Sequence, residues 1–436
     1  MKERMLDADV VIIGGGPAGS TLGSLLGRDG HRVVILERDI HPREHVGEAL
    51  TPSTNNVLHD LGVLPKIEEA GFVHKRGVGW SAPYSPLWKF FAVRTADYPP
   101  PNAIQPYSYN VEREDFDALL LRHALEIGAK VLQGVSVKRV LFEEDRAVGV
   151  HVAVADGWER DLYAKVVVDA SGRQCVLGKQ LGKRSKDPEF NQFAIYSWFT
   201  GVEPPPAQWE GFLILHFLGW ERAWGWHIPL RNGVTSMGVV TDKADFQKSG
   251  KSPEEFFDGL ISRNRTFRHA MRHAVRVRPW SIEGDYSYSM DTVAGKGWLF
   301  IGDAMRFVDP IFASGVDVAL YSTAHAHQAI VKSLTDGHEE RAFGEFASRV
   351  TDGLGVWYEL TVLFYKLQLL FTWFVRTPEH RADLIRILQG NPYMPEIKPT
   401  DQRLADLMWK AYEQIMANPH NLLRPGALDE LRAAAS

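Results

Sequence analysis

The feature that most constrains this chain is a glycine-rich turn set close to its start. Residues 10–13 form a short apolar run, and Gly14-Gly15-Gly16-Pro17-Ala18-Gly19 follows at once. A helical stretch then runs to about residue 28 and a second strand-like run covers residues 32–37, so the opening reads as one βαβ unit. In the pattern G-x-G-x-x-G the glycines permit a tight turn and let a pyrophosphate approach the backbone. The first N–H groups of the helix and its dipole favour the same anion. Glu37 closes the second strand, where a carboxylate accepts bonds from ribose hydroxyls. Gly14, Gly16, Ala18, Gly19 and Glu37 are therefore expected to hold a dinucleotide.

The rest of the chain reads in three blocks. Residues 115–128 have helical periodicity, residues 130–132 and 135–142 look like strands, and the alternating region 146–170 ends in a third apolar strand that feeds another glycine turn. Residues 193–240 change character, with short strands rich in Trp, Phe and β-branched residues around a Pro204-Pro205-Pro206 loop. They predict an antiparallel sheet walling a substrate cavity. After one more strand at 298–301, the chain from about residue 314 onward is mainly helical. Its most apolar stretch, 361–375, is short for a bilayer and carries Lys366 and Gln368, so it reads as a buried or substrate-covering helix.

Charge and cysteine usage narrow the partners. The 49 Lys+Arg against 54 Asp+Glu give a net charge of -5 without any block of like charge, which disfavours nucleic acid and anionic membranes. Small molecules and soluble proteins are the expected partners. The single cysteine, Cys175, excludes an intrachain disulfide framework and a Cys-rich metal site, suits a reducing cytoplasm, and leaves no metal expected. Residues 1–8 lack the pattern of a secretory signal, so the N-terminus is read as mature.

Two later segments bear on which dinucleotide is bound. Val168-Asp169-Ala170-Ser171-Gly172 and Ile301-Gly302-Asp303-Ala304, with Val111-Glu112-Arg113-Glu114-Asp115-Phe116-Asp117 between the first helix and them, resemble the para-hydroxybenzoate-hydroxylase-like flavoproteins. The resemblance implies FAD, with Asp303 on its ribityl or pyrophosphate part and Arg113 in contact with it. Arg38, Arg43, Asp169 and Val316 fall to the cofactor side by the same resemblance. By residue chemistry alone, Asp303 also suits a helix N-cap.

Three further segments resemble the flavin-dependent halogenases, over roughly residues 8 to 400. Trp224-Gly225-Trp226-His227-Ile228-Pro229 matches their W-x-W-x-I-P run. Tryptophans two apart on a strand face one side, so an aromatic cavity wall is the plain physical reading. The family reading adds that the wall separates flavin from substrate. Lys75 sits where these enzymes carry a catalytic lysine, and residues 41–50 resemble their R-x-x-x-G-E-S-L segment with Ala49 in place of Ser. In Phe307-Val308-Asp309-Pro310-Ile311-Phe312-Ala313-Ser314-Gly315-Val316 the resemblance places halide on N–H groups around Ser314 and Gly315, a reasonable use of oriented donors.

Tryptophan halogenases carry a glutamate where this chain has Phe312, which argues against tryptophan as substrate and toward a phenol or pyrrole. Residues 190–199 and 285–290 also look like the phenol and pyrrole group. The implied fold is α/β: a Rossmann-type FAD-binding part (1–175 and 285–335, with pieces of 75–110 at the substrate side), an interleaved antiparallel-sheet substrate domain (176–284) and a mainly helical C-terminal region (336–436). The implied reaction uses reduced FAD and oxygen to turn chloride or bromide into hypohalous acid, which Lys75 presents to an electron-rich ring as an ammonium donor or as a haloamine. No second nicotinamide-type glycine unit is evident, so a separate flavin reductase is expected. The substrate is free or tethered to a carrier protein. A base for the ring or phenol proton is required, and His216 and His227 are candidates. Trp357, Tyr358, Phe364, Tyr365, Phe371, Trp373 and Phe374 of the tail read either as core or as a cover on the substrate site. The competing readings are an FAD-dependent aromatic hydroxylase or flavin-linked reductase, and a flavoprotein that serves only as a binding partner.

Overall fold

The opening βαβ unit sits at the centre of one of two large sheets. The computed structural model describes residues 5–100, 102–155, 157–219, 222–284, 287–389, 398–421, 423 and 424. Asp285 and Tyr286 of the segment read as phenol- or pyrrole-like, and residues 390–397 and 425–436 of the expected helical region, lie outside it.

The first sheet places β1 (Ala8–Ile13) in parallel between β2 (Val33–Glu37) and β10 (Glu159–Asp169). Outside these, β7 (Lys130–Gln133) pairs in parallel with β2 and β20 (Trp298–Phe300) with β10, and β19 (Ala294–Gly295) closes the edge antiparallel. β1 and β2 are almost wholly apolar and buried, as strands covered on both faces must be. The first half of β10 instead joins an antiparallel meander with β8 (Val135–Glu143) and β9 (Arg146–Val154). Helix α1 (Pro17–Arg28) starts on Pro17, whose fixed φ suits a first turn, and packs between α4 (Arg113–Ile127) and α9 (Gly315–Asp336).

The second sheet runs β16 (Val275–Arg276), β12 (Gln192–Thr200), β15 (Thr235–Asp242), β14 (Trp224–Pro229), β13 (Leu213–Phe217), β4 (Gly77–Ser81) and β5 (Phe91–Arg94), with β17 (Ser281–Gly284) also on β12. It is antiparallel except where β13 meets β4 in parallel. Two of its strands thus come from residues 77–94, far upstream of the rest. Short ladders knit the sheets together: β3 (Val73–Lys75) on β6 (Ser108–Asn110), and β11 (Arg184–Lys186) with β18 (Tyr288–Met290) and β21 (Arg306–Phe307).

Alternation along these strands gives the second sheet two apolar faces. One face, with Ile195, Phe199, Met237 and Val239, packs on Phe257 of α7 (Pro253–Ile261) and Phe267 of α8 (Arg265–Ala270). The start of α7 is secured by a capping box between Ser252 and Glu255. The other face, with Trp198, Leu215, Trp224, Trp226 and Val240, is covered by α10 (Glu339–Lys366), α11 (Gln368–Arg376), α12 (Pro378–Gln389) and α13 (Lys398–Ala417). The remaining helices are α2 (Thr54–Asp60), α3 (Leu64–Glu69), α5 (Val176–Gln180) and α6 (Lys243–Ser249). Among the described residues no helix is long and apolar enough to cross a membrane.

Candidate active site

The turn after β1 leaves no room for side chains on its inner side. Gly14 has φ +105°, and a Cβ there would lie 2.5 Å from the carbonyl oxygen of Ala170. A Cβ on Gly19 would lie 1.9 Å from the carbonyl oxygen of Gly14. At Gly16 the one neighbour is Arg43 Nη2, 3.6 Å from where a Cβ would stand, so the turn is open toward that arginine. Arg43 Nη1 is buried and makes no hydrogen bond among the described residues; it lies 3.6 Å from Asp117 Oδ2. Ala18 is buried in the first turn of α1.

Glu37 lies at the end of β2, as its motif requires. Burial by itself would raise its pKa, but the His41 ring 3.9 Å away and hydrogen bonds from the N–H groups of Asp39 and Gly15 bring it down to about 2, leaving an ionised acceptor. Asp303 follows β20; burial pushes it up to about 6 against the pull of Arg113 and Arg173. A glycine turn with Arg43 Nη2 at its open side, an ionised acid at the second strand and a further acid beside two guanidinium groups fit FAD. Glu37 would hold the ribose, the turn with Arg43 the pyrophosphate, and Asp303 the ribityl side.

Three cofactor-side residues are committed elsewhere. Asp169 accepts the N–H groups of Ser171 at 2.9 Å and Leu177 at 2.7 Å, so its carboxylate holds the turn after β10 instead of facing a ligand. Arg38 is half exposed and pairs with Asp39 at 3.0 Å. Arg113 is buried in a two-bond pair with Asp117 (2.8 and 3.0 Å) and donates to Val46 O at 2.6 Å, fixing the segment that leads to Lys75's partner.

Lys75 ends β3 and is 5% exposed, unlike an ordinary surface lysine. Its Nζ donates to Leu50 O at 2.7 Å, which also accepts Ser108 Oγ at 2.8 Å. Burial draws its pKa down to about 7, so amine and ammonium are both accessible near neutrality. Just beyond Leu50, Thr51 Oγ1 and Ser53 Oγ donate to Asp317 Oδ1 at 2.9 and 2.5 Å. Asp317 lies in the first turn of α9, two residues after Gly315. One short segment therefore joins the lysine to the turn carrying Ser314 and Gly315, with Val316 buried behind them. The first N–H groups of a helix have no acceptor within it and are free for an anion.

Trp224 and Trp226 project from β14 onto the helix-covered face together with Ile228, and Pro229 ends the strand. Gly238, opposite Trp226 on β15, makes room for the indole: a Cβ there would meet Trp226 Cζ2 at 2.2 Å. Phe312 packs in an aromatic cluster with Trp357, Phe364 and Phe371, at centroid distances of 6.1, 5.7 and 5.7 Å. Trp224 Nε1 donates to Tyr365 Oη at 2.7 Å, and Tyr365 Oη to Asp309 Oδ1 at 3.1 Å. Burial pushes Asp309 up to about 7. Most tail aromatics thus lie on the tryptophan face, whereas Trp373 is 52% exposed and packs edge-on against Phe374 at the margin of this cluster.

The two histidines proposed as bases are on the wrong face. His227 alternates with Trp226, and His216 stacks on Phe267 at 4.4 Å, its Nδ1 paired with Ser81 Oγ at 2.7 Å. Burial holds His227 down to about 4 and His216 well below its usual range, so both are neutral members of the core facing α8. Sequence reasoning passed over Glu48, Ser236 and Asp317, although Glu48 lies inside the segment quoted above.

The fold and site define an FAD-binding flavoprotein, and the chain matches the FAD binding domain family over residues 7–342. It is 40% identical over 404 residues to the 1H-pyrrole-2-carbonyl-[peptidyl-carrier protein] chlorinase of Pseudomonas fluorescens, covering 89% of this chain and 90% of that one. It is 32% identical over 387 residues to the corresponding brominase of Pseudoalteromonas luteoviolacea, covering 88% and 91%. The structure of the flavin-dependent brominase Bmp2 superposes with a TM-score of 0.84 at 27% identity, over 93% of this chain and 99% of that one. The chain belongs to the flavin-dependent halogenases: it is an oxidoreductase that uses FAD and halide.

Proposed function

We propose that this enzyme halogenates a pyrrole ring carried as an acyl group on a peptidyl carrier protein, with hypohalous acid delivered by Lys75. The observation that carries the reading is a buried lysine beside the segment that meets both the tryptophan face and the first turn of α9. The two relatives above, named for the pyrrolyl carrier-protein substrate, support the substrate class. Phe312, in place of a carboxylate, suits a ring already activated by its own nitrogen.

Bound FAD, once reduced, supplies from oxygen the oxidising equivalents that convert halide to hypohalous acid. The N–H groups of Ser314 and Gly315 hold the halide. The wall of Trp224 and Trp226 keeps the ring away from the flavin. Lys75 holds the hypohalous acid by hydrogen bond and polarises it. As the ring carbon forms its bond to halogen, the halogen–oxygen bond breaks, and the departing hydroxide with the ring proton leaves as water. Reduced flavin comes from a separate reductase, and the enzyme works in the cytoplasm, in keeping with its one buried cysteine.

Mass spectrometry of carrier-bound pyrrole, free pyrroles and phenols, incubated with enzyme, FAD, a flavin reductase, NADH, oxygen and chloride or bromide, tests the reading. A halogen isotope pattern on the carrier-bound pyrrole that vanishes in Lys75→Ala with FAD retained is the expected result. Halide-independent oxygen insertion would move the enzyme to the hydroxylases.

A further inference from the structure

The indole N–H groups of a buried tryptophan wall need acceptors, and two of them converge on one acid. Glu48 is 1% exposed, and its Oε1 accepts Trp198 Nε1 at 3.2 Å and Ser236 Oγ at 2.8 Å. Ser236 Oγ in turn accepts Trp226 Nε1 at 3.1 Å. Trp198, Ser236 and Trp226 stand on three adjacent strands, β12, β15 and β14, so a single carboxylate from the segment before Leu50 ties the second sheet crosswise. Trp198 is held from its other side by the Arg278 guanidinium, 3.4 Å from its ring centroid. Glu48's own backbone is fixed, because its carbonyl accepts Val111 N at 2.7 Å and the preceding residues are held by Arg113. The acid therefore has a rigid mount, and the indoles take their orientation from it.

This matters because an indole swings about two side-chain torsions, and Gly238 beneath Trp226 offers no side chain to stop it. Packing limits the ring; the N–H bond chooses its angle. Resting on the halogenation reading above, we propose that Glu48, directly for Trp198 and through Ser236 for Trp226, is a positioning residue that seals the wall and so sets what fraction of the hypohalous acid reaches the substrate. Glu48 does not touch the reacting atoms in this role. Its loss changes the fate of the oxidant and leaves its formation in place.

The experiment measures two yields per flavin oxidised: halogenated product, and oxidant escaping to the scavenger monochlorodimedone in the surrounding solution. The holoenzyme carries Glu48→Leu, Glu48→Gln, Ser236→Ala, Trp226→Phe or the Ser236→Ala/Trp226→Phe pair. Glu48→Leu is expected to shift the ratio of product to escaped oxidant by about tenfold, and Ser236→Ala by about threefold, the size of losing a charged and a neutral hydrogen bond. The sum of both yields stays constant. Glu48→Gln, which keeps an acceptor oxygen, recovers part of the ratio. The double variant matches Trp226→Phe, because the serine acts through that indole. Should Glu48→Leu fold poorly, Ser236→Ala and the pair still decide. A ratio unchanged while both yields fall together would overturn the proposal, since that is what a merely structural residue does. Absence of both yields in the parent enzyme would overturn the halogenation reading itself, and this role with it.

Discussion

The turn at residues 14–19 and the wall on β14 are both close-packed, yet different forces hold them in place. The turn is a backbone object: Gly14 and Gly19 approach neighbouring carbonyls so closely that no Cβ fits, and six consecutive residues contain nearly the whole device. The wall is a side-chain object. Trp224 reaches Tyr365 and Asp309, while Trp226 reaches Ser236 and Glu48, so two residues of one strand depend on partners far along the chain in both directions. Local geometry alone suffices for a nucleotide turn, whereas an aromatic wall must be assembled from several segments.

That contrast predicts that the two regions fail separately. Lys75→Ala, on the substrate side, should lower product formation by about 10²–10⁴-fold, the range for losing a positioned proton donor, with flavin absorbance of the purified protein unchanged. Loss of flavin in that variant would break the separation. Gly19→Ala should do the converse: overpacking costs about 1–3 kcal/mol, roughly five- to 150-fold in FAD affinity, read by titrating apoprotein with FAD.

A pH profile sharpens the substrate side. Burial sets the Lys75 pKa at about 7 where a free lysine has 10.5, so the Lys75-dependent rate should inflect near pH 7. A fall as pH rises through 7 assigns the ammonium as the working form, and a rise assigns the amine. The same burial has a stability sign. Between about 7 and 10.5 the unfolded chain holds a proton that the folded one lacks, so stability increases with pH there, and below 7 the full cost of burying the ammonium remains. Thermal melts from pH 7 to 9 should therefore rise more in the parent than in Lys75→Met.

The smallest effect belongs to Tyr365→Phe, which removes the bridge between Trp224 and Asp309. It should cost about 1 kcal/mol in chemical denaturation. A loss several times larger would show that α10 depends on this bridge and not mainly on apolar packing.

What could be read in advance follows the same division. The βαβ unit, the interleaved second sheet and the helical end were legible because period-2 alternation, glycine turns and 3.6-residue patterns are local. Lys75 and the two tryptophans were named through resemblance, but the burial that draws the lysine toward neutrality was invisible, since β6 and Leu50 supply it from elsewhere in the chain. Whether His216 or His227 is a base or part of the core was left open for a related reason. A strand's alternation says that His227 opposes Trp226, but only the packed α8 shows which face is core. Asp169 looked like a ligand group because its motif is a cofactor motif, yet the N–H groups of Ser171 and Leu177 claim it.

By itself, the sequence determined the nucleotide turn, the acid at the end of β2 and the existence of a tryptophan pair on one strand face, because these depend on covalent geometry and on residues near one another in the chain. Tertiary structure alone decided that β4 joins the wall's sheet by pairing in parallel with β13, that the tail aromatics cover it, and that one buried acid, Glu48, holds one indole directly and a second through Ser236. Those outcomes arise where side chains distant along the chain compete for the same space and the same few hydrogen-bond acceptors, and that competition is settled only when the chain is folded.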